Sequence, residues 1–151
     1  MSDAPRHIKP PIWLILHGLA QLALHRWLPG PRLLSPPWIN LGLLPGFLGV
    51  TLVLWSAVLF RRRGTSIVPF TESSALLAEG PYRFSRNPIY LGLTLILVSA
   101  ALFLGTTSPW LPVASFFLIL RQGFVLPEEA LLRARFGPAY EDYLRRVRRW
   151  I

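Results

Sequence analysis

Two short stretches of this chain carry groups that have little reason to border an apolar segment unless they do chemistry. One is Gly80-Pro81-Tyr82-Arg83-Phe84-Ser85-Arg86-Asn87-Pro88-Ile89-Tyr90-Leu91-Gly92 and the other is Glu128-Glu129. Polar and charged groups held at a membrane edge cost free energy, so their presence there points to function. Pro88 suits the first turn of a helix, where its missing N–H is not needed, with Ser85 or Asn87 as the cap. The open N–H groups of such a helix end attract anions, and Arg83 and Arg86 add positive charge there. Glu128 and Glu129 would bring carboxylates, and Tyr82 and Tyr90 stacking or hydroxyl groups. A ligand with an ammonium, a carboxylate and an aromatic base would suit that set. Plainer roles exist: the arginines also fix topology, and Pro127-Glu128-Glu129 also fits the start of a surface helix. Their combination across one hairpin favours a site.

Four apolar blocks must position these groups, at about residues 12–28, 41–60, 89–104 and 110–126. A membrane span takes about 20 residues, with a range of about 17 to 25. Of the 151 residues 52% are apolar and 15% charged, well below the roughly 25% charged residues of an average soluble domain. The expected architecture is all-α: one domain, residues 1–151, forming an integral membrane bundle of four transmembrane helices. A cytoplasmic loop and a C-terminal amphipathic helix complete it. Gly105-Thr106-Thr107-Ser108 is uncharged and only long enough for a tight hairpin. The positive-inside bias places residues 61–88 and 127–151 in the cytoplasm, and four spans then place the N-terminus there too. The expected location is a bacterial inner membrane, from the small size and the use of Arg over Lys.

The formal net charge is +9, yet the arginines collect between the second and third blocks and after the fourth. That distribution suits helix ends near anionic headgroups rather than nucleic acid. Cysteine is absent, which excludes a disulfide framework, a thiolate ligand and a cysteine nucleophile. Gly42, Gly46 and Gly49 recur at helical spacing and would let helices approach closely. His17, Gln21 and His25 form a polar stripe on the first helix. Its two histidines are about 12 Å apart along the axis, too far for one ion, so the stripe faces the bundle interior and no metal is expected. Tyr140, Tyr143, Leu144 and Val147 share one helical face, which predicts an amphipathic helix on the membrane surface that could also cover a cofactor.

The pattern Gly80-x-Tyr82-x-x-x-Arg86-Asn87-Pro88-x-Tyr90-x-Gly92, a hairpin, Glu128-Glu129, then Phe136-Gly137-x-x-Tyr140-x-x-Tyr143-x-x-x-Val147 resembles the isoprenylcysteine carboxyl methyltransferase family. Phospholipid N-methyltransferases are related to it. The resemblance covers residues 64–151, the expected cofactor-binding half. It implies an integral membrane enzyme that uses S-adenosylmethionine and releases S-adenosylhomocysteine. Carried over by position, the cofactor contacts fall on Ser74, Ala75, Leu76, Leu77, Tyr82, Asn87, Pro88, Ile89, Tyr90 and Glu128. Arg86, Asn87 and Glu128 take the catalytic positions. Two departures stand out. The family most often has His where this chain has Asn87, and Asn cannot take a proton as imidazole can. An Arg that engages the substrate carboxylate in the eukaryotic enzymes corresponds to Phe124, while Arg121 lies seven residues before Glu128, on the same face of a continuous helix.

The resulting expectation is in-line methyl transfer from a sulfonium to a carboxylate, amine or thiol on an apolar or lipid-borne acceptor at the cytoplasmic face. Alignment in a dry pocket can supply about 7–11 kcal/mol of the barrier, and no metal is required. The expected partners are the bilayer and that acceptor, without nucleic acid. The alternative is a non-catalytic membrane scaffold or anionic-lipid-binding module that keeps the fold.

Overall fold

A computed structural model describes residues 8–64 and 76–151. Helix α1, Pro10–Trp27, starts on two prolines that its first turn tolerates. A 3₁₀ turn, Trp38–Gly42, feeds α2, Leu43–Arg62, whose last turn carries Arg61 and Arg62 where the helix dipole favours cations. A second 3₁₀ turn, Gly80–Arg83, leads to α3, Pro88–Leu104. Gly105 ends α3 in the left-handed conformation (φ 68°), which glycine adopts without the Cβ clash. Helix α4, Trp110–Leu120, continues through a π-helical segment, Arg121–Val125, into α5, Leu126–Phe136. After Gly137 comes α6, Pro138–Arg146. The fold is all-helical among the described residues, with one isolated bridge between Arg32 and Thr106.

Two helical stretches, Trp38–Arg62 and Trp110–Phe136, are long and apolar enough to cross a membrane; Pro88–Leu104 is apolar but shorter. Helix α2 exposes Leu44, Phe47, Leu54 and Trp55, a pattern that suits lipid rather than water.

The glycine face of α2 closes onto α3, as its spacing predicted. A Cβ on Gly49 would stand 2.6 Å from the Gly92 carbonyl oxygen, and one on Gly42 2.8 Å from that of Ser99. The Ser99 hydroxyl uses this approach to donate to the Gly42 carbonyl at 2.7 Å. The core lies between α3 and the α4–π segment, built from Tyr90, Leu93, Leu97, Phe116, Leu120 and Phe124. Helix α1 closes it with its polar stripe inward. The Gln21 amide is fully buried and donates to the carbonyls of Leu97 (2.9 Å) and Pro109 (3.1 Å). His17 packs between Trp13 and Phe116, while His25 meets the Thr106 hydroxyl at 2.9 Å.

Two expectations need correcting. Helix α6 does not spend its apolar face on a membrane surface: Tyr140, Tyr143 and Val147 are buried against Leu76, Leu132 and Phe136. A pairing face within the protein was available, and the amphipathic pattern is the same for either partner. Nor does a side chain cap α3. Asn87 holds the cap position without a side-chain capping bond, because its amide is committed to the C-terminal segment.

Candidate functional site

The polar run and the glutamate pair meet at the N-terminal end of α3. The Tyr90 hydroxyl donates to Glu128 Oε1 at 2.9 Å, joining α3 to α5. The Phe124 ring lies 6.1 Å from that of Tyr90 and is buried beside it. Tyr82 is buried in the 3₁₀ turn, with Phe60 edge-on at 5.8 Å and its carbonyl accepting from the Tyr143 hydroxyl at 2.7 Å. Burial pushes the Tyr82 phenol well above its usual range, and the nearby charge of Glu128 adds to this. Tyr82 therefore presents a protonated hydroxyl. The second oxygen of Glu128 has no hydrogen-bond partner among the described residues.

Glu129, one residue on, is tied down on all sides. Arg149 reaches it through two bonds, of 3.0 and 2.7 Å, and Arg86 adds a third at 3.1 Å. Arg86 also donates to the Val147 carbonyl at 3.1 Å, and its backbone N–H to that of Arg148 at 3.0 Å. Asn87 Nδ2 donates to the Arg149 carbonyl at 3.2 Å, and Ser85 Oγ to the same oxygen at 3.3 Å. Trp150 then lies 4.8 Å from Phe117, ring to ring. The C-terminal segment is thus strapped across the start of α3. Among the described residues the Arg86 Nε–H of this network is buried without a partner.

The π segment decides which glutamate faces which way. Leu126 N–H bonds to the Arg121 carbonyl five residues back, and Pro127 brings no N–H of its own. The wider turn shifts the register, so seven residues no longer keep Arg121 and Glu128 on one face. Arg121 sits half-buried at the start of this segment.

The other predicted residues divide by position. Ser74 and Ala75 lie outside the described residues. Leu76 packs against the Tyr140–Tyr143 cluster and Leu77 is buried. Pro88 is the first residue of α3, and Ile89 packs against the main core. Tyr82, Tyr90, Phe124 and Glu128 come together, whereas Arg86 and Asn87 turn toward the strap. Sequence reasoning missed Arg149, whose partner lies 20 residues away, and read it as one more tail cation. It also missed Ser56 on α2, fully buried near the Tyr82 phenol and without a close hydrogen-bond partner among the described residues. Thr94, Ser99 and Ser115 bond to a carbonyl, whereas Ser108 Oγ, like that of Ser56, is buried without a partner among the described residues, a contrast visible only in three dimensions.

Residues 38–139, more than half of the chain, match the phospholipid methyltransferase family. The chain belongs to the phospholipid methyltransferase family. It is also 41% identical over 48 residues to an uncharacterized protein of Haemophilus influenzae, an overlap covering 32% of this chain and 76% of that one. No solved structure matches. The phospholipid methyltransferase match spans Tyr82, Tyr90, Phe124, Glu128 and Glu129, but stops short of the strap that ties Glu129 in place.

Proposed function

We propose that this member of the phospholipid methyltransferase family transfers a methyl group from S-adenosylmethionine to a lipid-borne or other apolar acceptor at the cytoplasmic side of a membrane. The observation that carries the reading is the state of Glu128. It is a carboxyl group beside Tyr82, Tyr90 and Phe124 with a single hydrogen bond among the described residues, from Tyr90. A carboxyl group left so little paired among aromatic faces favours a cationic partner, which would draw it into its charged form.

The residues present fit the methyl donor. Glu128 would hold its ammonium, Tyr82 and Tyr90 would line its aromatic base, and the N-terminal end of α3 would face its carboxylate. When bound, S-adenosylmethionine supplies the methyl group on a sulfonium. The chain's part is to orient the two reactants and to exclude water, and the strap over α3 serves both ends. Asn87 is spent on the Arg149 carbonyl and holds the strap, which suits a positioning role and not that of a base. We place the N- and C-termini in the cytoplasm of a four-span protein on the arginine distribution.

Binding of S-adenosylhomocysteine to the purified protein tests this reading. Saturable binding that Glu128→Ala weakens by tenfold or more is the expected result, the scale of a lost charged hydrogen bond. No saturable binding by the intact protein sinks the enzyme reading and leaves the scaffold.

A further inference from the structure

A second feature lies away from this site. Between α1 and α3 runs a cleft of about 490 Å³, within the range of about 300–1,000 Å³ typical of small-molecule sites. Its walls include Leu14, Ile15, Leu19 and Leu22 of α1 and Ile96 and Phe103 of α3. Gln21 also borders it, but its amide N–H groups are turned to the Leu97 and Pro109 carbonyls.

The floor of this cleft is Gly18. A Cβ on Gly42, Gly46, Gly49 or Gly92 would meet a neighbour at 2.6–2.8 Å, so those glycines serve close packing. A Cβ on Gly18 would meet nothing within 4 Å among the described residues. Glycine in a helix interior is less favourable than alanine, and here no turn or close approach requires it. What Gly18 provides is open volume.

Three observations identify the occupant. The cleft opens between Ile15, Leu19, Leu22 and Phe103, all exposed apolar side chains, and so faces the same surroundings as the lipid-suited surface of α2. Leu14 and Leu22 flank Gly18 four residues away on either side, so the small-residue repeat that brings a second helix close is missing. Those bulky rims hold another helix off, whereas a bare hydrocarbon chain fits between them. Along α3 the lining runs from Ile96 to Leu104, about 12 Å of helix, and starts about 9 Å of axial rise beyond Tyr90.

We propose that the α1–α3 cleft seats the hydrocarbon chain of the lipid-borne methyl acceptor, with Gly18 as the floor that admits it. This rests on the methyltransferase reading for the acceptor's identity, but chain binding itself can be measured without the methyl donor. The protein in nanodiscs would be exposed to a phospholipid carrying a photoactivatable palmitoyl chain, and the labelled residues mapped. Labelling concentrated on residues 14–22 and 96–104 is expected, with at least a fivefold loss in Gly18→Phe and little change in Gly18→Ala. Because nothing adjoins Gly18, both variants should keep the unfolding temperature and the S-adenosylhomocysteine affinity of the intact protein. Transfer of labelled methyl groups to the lipids of a membrane lysate should fall in parallel in Gly18→Phe. Labelling spread evenly over the lipid-facing helices, or chain-to-chain crosslinks at this cleft, overturns the proposal. Loss of labelling with undiminished methyl transfer overturns it too, since the occupant is then a bystander lipid. Absence of S-adenosylhomocysteine binding in the intact protein defeats the functional reading, and the acceptor assignment with it, even where the cleft is labelled.

Discussion

Glu128 and Glu129 are neighbours in sequence and opposites in structure. Glu129 takes three charge-assisted hydrogen bonds from two arginines, while Glu128 has one bond, from a neutral phenol. A carboxylate paired on every side has nothing left to offer a ligand, and its strength goes into holding the C-terminal segment on α3. One with an unused oxygen among aromatic rings is a poor stabiliser and a good receptor for a cation. Electrostatic strength and availability for binding therefore trade against each other across a single peptide bond.

That contrast is broken most directly at Glu129. Glu129→Ala leaves the half-buried Arg86 and Arg149 without their counter-charge and should cost about 2–3 kcal/mol. This is less than the roughly 3–5 of a wholly buried pair, because Arg149 is a third exposed. Thermal unfolding in detergent measures it, and the C-terminal segment should become open to protease in the same variant. An unchanged unfolding midpoint would show that the strap does not hold the start of α3.

The reverse pattern is expected of Glu128→Gln, which keeps an acceptor for Tyr90 but removes the charge. Stability should change by less than about 1 kcal/mol while S-adenosylhomocysteine affinity falls roughly 10- to 100-fold. A loss of stability equal to that of Glu129→Ala, with affinity intact, would make both glutamates structural.

The exposed pair of Arg63 and Glu79 sharpens the comparison from the weak end. Its guanidinium donates to Glu79 at 2.7 Å, but both side chains are largely in solvent. The hydrogen bond from Arg63 holds the Glu79 carboxyl below its ordinary value of 4.5. A lowered value means that the pair contributes above pH 4.5 and is lost as the pH falls through the folded-state value. Glu79→Gln should lower the unfolding midpoint by about 2 °C or less at pH 7, and by progressively less as the pH falls through the folded-state value. An effect matching that of Glu129→Ala would mean that exposure does not set the value of these pairs.

Helix positions were legible because they depend on local rules. Apolar runs, Pro88 at a helix start and Gly105 at a helix end act within a few residues, and the glycine face of α2 is a periodic signal. The interior stripe of His17 and Gln21 was legible for the same reason. The register between α4 and α5 was not, since the π segment arises where Pro127 withholds an N–H and the helix still continues under tertiary packing. The partner of α6 was equally hidden: an amphipathic face states that something covers it, but not what.

The sequence by itself determined an all-helical chain with a tyrosine- and arginine-bearing run one hairpin away from a pair of glutamates. Composition, periodicity and residue type suffice for that, and the phospholipid methyltransferase match agrees. Only the tertiary structure decided that Glu128 faces Tyr90 while Glu129 grips Arg86 and Arg149, and that Gly18 opens a cleft while Gly49 closes a contact. The physical reason is common to all of these. What a carboxylate or a glycine does depends on which atoms come within a few ångströms, and those atoms lie tens of residues away along the chain.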